Sequence, residues 1–141
     1  MTTVRLKGQS HPADPGVVYG GRVIVTGALL AESAAVVDNK LEVKGGVVDT
    51  FRAGPNRLAR VTLVVLIQPE PFDQAATVDI TISDPAGKSR DVAVEVPQSS
   101  LGGEVGFVVL PLNIPVPLDG RYQLSVTSHG GQVALPLKVT G

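Results

Sequence analysis

Apolar and polar positions alternate most regularly in the second half of the chain. In Val78-Asp79-Ile80-Thr81-Ile82 the apolar side chains fall on one side of an extended backbone and the polar ones on the other. Val92, Val94 and Val96 repeat the pattern around Ala93 and Glu95, and Tyr122, Leu124 and Val126 repeat it around Gln123 and Ser125. Val133, Leu135, Leu137 and Val139 do so around Pro136 and Lys138. A period of two is that of a strand with one face on a core and the other in water, and β-branched residues suit that pleated surface. Val61 to Ile67 is apolar apart from Thr62, and Val105 to Leu110 is apolar apart from Gly106. Short unbroken runs of this kind predict central strands covered on both faces.

Turn chemistry separates these runs. Asp84-Pro85-Ala86-Gly87 carries the residues a type I turn favours at its first, second and fourth positions, so Thr77 to Ser83 and Arg90 to Val96 form a hairpin. His129-Gly130-Gly131 closes a second, between Gly120 to Ser128 and Gln132 to Val139. Asp38-Asn39-Lys40 closes a third, because Asn tolerates a positive φ. Pro69 to Pro71, Pro97 to Gly103 and Asn113 to Asp119 read as crossings between sheets. Ala28 to Val37 is rich in alanine and leucine, which favour helix. Gly27 would open such a helix badly and Asp38-Asn39 leads straight into Leu41-Glu42-Val43, so this stretch is read as a strand, with helix the competing reading.

The pattern therefore predicts an all-β fold: an antiparallel two-sheet sandwich of roughly eight strands, immunoglobulin-like or C2-like, with room for one short helix. Residues 1–21 form an N-terminal arm that can add a strand through Val4 to Lys7, and residues 22–141 form the sandwich domain. Pro136 cannot donate to a ladder, which puts its strand at an edge or beside a bulge, and with Lys138 it guards that edge. Gly45-Gly46 marks a bulge or a close approach of backbone.

Composition narrows the function more than it identifies it. The 141 residues suit one domain, and the absence of cysteine excludes disulfides and thiolate metal sites. A net charge of −1 with interspersed signs gives no basic stripe for nucleic acid. With no tryptophan and two tyrosines, the stacking platforms used for sugars and single strands are missing. Thr2 to Gly16 is polar and broken by prolines, unlike a signal peptide, and the apolar stretch Val23 to Val37 is interrupted by Glu32 and Ser33, so no membrane span is expected.

Candidate chemistry is sparse. His11 lies in the Pro-rich arm and His129 in a glycine turn, neither at a ligand spacing from a second histidine. Carboxylates are scattered singly, with Asp84 and Asp119 shaping turns, so neither a calcium loop nor any other metal site or cofactor is expected. No G-x-S-x-G elbow or phosphate-cradling glycine motif occurs, and an enzyme is not expected. Arg52, Arg57 and Arg60 surround Gly54-Pro55-Asn56 and make the best candidate for holding an anion. In Leu118-Asp119-Gly120-Arg121-Tyr122 the tyrosine is placed to anchor a corner by bonding its hydroxyl back to the main chain.

Leu29-Leu30-Ala31-Glu32, Asp38-Asn39-Lys40-Leu41 and Gly45-Gly46 resemble the opening of an uncharacterised family of small bacterial β-sandwich proteins, a domain of unknown function. The Ser83-Asp84-Pro85-Ala86-Gly87 turn and the Pro117-to-Tyr122 segment are similar too, although Asn39 stands where the family more often has glycine and no aromatic follows Gly46. The resemblance implies a bacterial cytoplasmic sandwich and brings no catalytic residues. The expected function is non-catalytic: contact with a protein partner or with further copies of the chain, through sheet edges and the arm. An anion or small-molecule module built on Arg52 to Arg60 is the alternative.

Overall fold

Every valine-rich run predicted as a strand folds as one. The computed structural model describes residues 4–6 (as backbone), 23–70, 76–128 and 131–141. Among these residues ten strands follow one another: β1 Val4–Leu6, β2 Val23–Val37, β3 Lys40–Gly46, β4 Thr50–Arg52, β5 Leu58–Pro69, β6 Thr77–Ser83, β7 Ser89–Glu95, β8 Gly106–Pro115, β9 Gly120–Ser128 and β10 Gly131–Thr140. Eight are long, and β1 and β4 have three residues each. A three-residue 3-10 turn, Gln98–Ser100, takes the place of the short helix. Among the described residues, no helix is long and apolar enough to cross a membrane.

The strands form two layers. One sheet has six strands in the order β1-β7-β6-β9-β10-β4, the other four in the order β3-β2-β5-β8. Leu30, Leu63 and Ile67 of the smaller sheet meet Tyr122, Leu124 and Leu137 of the larger one in an almost wholly aliphatic core. The β6–β7 and β9–β10 hairpins have the expected register, with Ser83 opposite Ser89 and Ser128 opposite Gly131. His129 and Gly130, between the latter strands, lie outside the described residues.

The ambiguous stretch resolves as a strand of fifteen residues. Ala31 of β2 lies opposite both Thr62 of β5 and Gly46 of β3. A ladder to β5 up to Ala31 and a ladder to β3 from Ala31 onward outweigh the modest helix preference of alanine. The turn that ends β2 holds Asp38 at φ 52° and Asn39 at φ 61°, the paired left-handed residues of a two-residue hairpin. A bulge that the alternation did not reveal lies at Thr26: Val25 pairs with Ile67, but Gly27 pairs with Leu66. Val23 and Val25 before it, and Ala28 and Leu30 after it, consequently all face the core. Without the extra residue Leu30 would point outward. Gly45 is a close approach, with φ 63° and the Glu32 side chain lying where a Cβ would be.

Three expectations need correction. Val105 to Leu110 was expected to be a central strand, yet β8 is an edge strand and runs on to Pro115. Its apolar positions face the core on one side and a surface groove on the other, so the run looks doubly covered. The crossing expected from Asn113 to Asp119 shrinks accordingly to residues 116–119. The fold is not purely antiparallel, because β4 pairs parallel with β10. The chain reaches β4 from the other sheet, and without a hairpin its direction is not reversed. Pro136 lies on a strand that β4 covers only at Lys138, Val139 and Thr140, so its own stretch of the edge is open. The Lys138 amide points outward to the Asp49 carbonyl, and Pro136, two residues earlier, directs its ring nitrogen to the same side. The proline therefore interrupts no bond to β9. Of the arm, Val4–Leu6 pairs with β7, as expected of an added strand, and Lys7 lies outside the described residues.

Candidate functional site

Arg57, the central member of the arginine triad, sits at φ 51° in the connection between β4 and β5. Its Nε donates to the Val116 carbonyl at 2.8 Å, and its guanidinium pairs with Asp119 at 2.7 Å. Its own carbonyl accepts from the Val116 amide. These bonds clip the connection to the crossing between β8 and β9. Arg52 projects from β4 in the larger sheet, and Arg60 lies on β5 in the smaller one, opposite Asn113. The structure brings Arg57 to Asp119, and an anion shared by the three arginines would have to draw Arg57 away from that carboxylate.

Tyr122 is fully buried, and its hydroxyl both donates to the Leu118 carbonyl at 2.9 Å and accepts from the Leu118 amide at 3.2 Å. This is the expected corner. Tyr122→Phe leaves both main-chain groups short of a partner, and unfolding free energy should fall by about 1–3 kcal/mol. An unchanged denaturation midpoint would remove the anchoring role. Asp84 likewise shapes its turn, its Oδ1 accepting from the Ala86 and Lys88 amides at 2.9 Å each. His11, His129 and Asp73 lie outside the described residues.

The site the sequence did not announce is a groove of about 660 Å³ at one side of the smaller sheet. Val36 and Asn39 reach it from the β2–β3 hairpin. Pro97, Ser99, Ser100 and Val105 reach it from the connection before β8, and Phe107, Val109 and Pro111 from β8 itself. Among the described residues, its lining carries no charged side chain. Val36 is 55% exposed and Val105 71%, so apolar surface stands open at the rim. Of the polar groups, the Ser100 hydroxyl is committed to the Phe107 carbonyl at 2.6 Å. Asn39 and Ser99 remain, which is little with which to orient a small molecule.

The backbone of β8 sharpens this. The Val116 amide points to Arg57 at the end of β5, so the amides of residues 107, 109, 111, 113 and 115 face away from that strand. Two of those positions are Pro111 and Pro115, and the Phe107 carbonyl is already taken. A strand cannot add continuously along such an edge. Whatever docks in the groove does so by side-chain packing.

No family model matches the chain, and no curated protein is found similar to it. The groove is accordingly read from its own chemistry. Sequence reasoning missed it because its walls come from residues 36–39 and 97–111, distant in the chain and joined only by the fold.

Proposed function

We propose that the protein is a non-catalytic β-sandwich that works through protein–protein contact, with the groove between the β2–β3 hairpin and β8 as its contact surface. The observation that carries this reading is the mostly apolar lining, uncharged among the described residues, with Val36 and Val105 exposed at its rim. Water-facing apolar surface of this kind is typical of a surface that a partner covers, and depletion of charge marks the centre of such interfaces. The same proposal places the protein in the bacterial cytoplasm, in keeping with the family that its turns resemble.

The test is a photo-reactive residue placed at Val105 of the full chain in its source cell. Illumination should give one discrete adduct with a protein, whether another copy of the chain or a different polypeptide. Recovery of the unadducted chain alone would remove the reading.

A further inference from the structure

β3 closes one side of the smaller sheet, and among the described residues its outward backbone has no strand beside it. In the hairpin, Val37 pairs with Lys40 across the two-residue turn, so Lys40, Glu42 and Lys44 exchange main-chain bonds with β2. The amides and carbonyls of Leu41 and Val43 then point away from the sheet. No proline interrupts β3, in contrast to β8, and Val43 is 39% exposed. An apolar side chain on an unblocked edge is an invitation to strand addition.

The charges on β3 say what it would add. Resting on the protein-contact reading above, we propose that two copies of the chain join through β3, antiparallel about a two-fold axis at Val43. The two four-stranded sheets become one continuous sheet of eight strands. In this register Glu42, Val43 and Lys44 are matched in strand conformation: Val43 faces Val43 of the second copy, and Leu41 faces its Gly45, which at φ 63° ends the ladder. Glu42 faces Lys44 of the second copy, and Lys44 its Glu42, so opposite charges meet on both sides of the axis. Moving the axis one residue toward the turn sets Glu42 against Glu42 and Lys40 against Lys44, like charges directly opposed. Moving it to Leu41 draws Asp38 and Asn39 into the ladder, and their positive φ angles are not those of a strand. Moving it the other way, to Lys44, places the two Lys44 side chains face to face. The alternation Lys-Leu-Glu-Val-Lys is self-complementary about Val43, clear of the hairpin turn, which is what an isologous interface requires.

The experiment is sedimentation velocity of the full chain over roughly 1–100 µM, a range that resolves micromolar association. The wild type should sediment as a dimer toward the upper end. Glu42→Lys should raise the dimer dissociation constant about tenfold or more, because it converts both attractive pairs to repulsive ones. The exchanged double variant E42K/K44E should restore association. Val43→Pro should be monomeric with an unchanged melting curve, since the lost amide points away from β2. A wild type that stays monomeric throughout, or a dimer indifferent to Glu42→Lys, overturns the proposal. If the dimer fails while the Val105 adduct contains a different polypeptide, the contact reading stands and the β3 pairing falls. If the dimer obeys the charge exchange while no adduct forms at Val105, the groove reading falls instead.

Discussion

Leu63→Ala is expected to lower the free energy of unfolding by about 2–5 kcal/mol, and Leu66→Ala, on the same strand, by about 0.5 kcal/mol. Both leucines sit in the apolar run that reads as one block in the sequence. Leu63 is fully buried, pairs with Leu30 and Leu110, and faces the core. Leu66 lies on the other face, 37% exposed, paired with Gly27 just after the bulge at Thr26. Truncating Leu63 removes a side chain packed from every direction and leaves a cavity, whereas truncating Leu66 leaves surface that water reaches. Urea denaturation of the two variants with unchanged slopes measures the difference directly. Similar losses from both would contradict the pairing register of β5 and with it the placement of the bulge.

Gly106→Ala should cost about 1–3 kcal/mol and also disturb the groove. A Cβ on Gly106 would run into the Ser100 carbonyl, a backbone atom that cannot rotate aside. The 3-10 turn Gln98–Ser100 would have to move, and the bond from the Ser100 hydroxyl to the Phe107 carbonyl would go with it. Ser100→Ala removes that bond alone and should cost about 1 kcal/mol. Because the displaced connection carries Val105, cross-linking from that position should weaken in Gly106→Ala. Wild-type stability with a full adduct would show that the connection tolerates the shift and that its close seat on β8 is not what shapes the groove.

The strand content of this fold was legible because valine at a period of two has few other readings. The hairpins were legible too, since Asp84, Gly87 and Asn39 meet backbone requirements that are local. What escaped was everything decided by a neighbour across space. Thr26 is an ordinary residue in an ordinary strand, and only pairing with β5 makes it the extra one. The apolar run at the start of β8 looked doubly buried because a groove wall and a core wall use the same residues. The prolines at 111 and 115 carry for β8 the same edge signal that Pro136 carries for its stretch of β10. Arg52 lies on the larger sheet, Arg60 on the smaller and Arg57 in the connection between them, and Asp119, distant in sequence, engages Arg57. Tyr122 was readable because its partner lies only four residues away.

One strand ties the interior to the proposed contact surfaces. The first part of β2 is bonded to β5 and sealed beneath the core side chains, while residues 32–37 have only β3 beside them and stand largely in solvent. Along a single unbroken backbone the free energy of opening therefore falls from that of the whole molecule to that of a hairpin. The tip can breathe, and adjust to what it meets, on a timescale of its own, while the core end of the same strand stays shut.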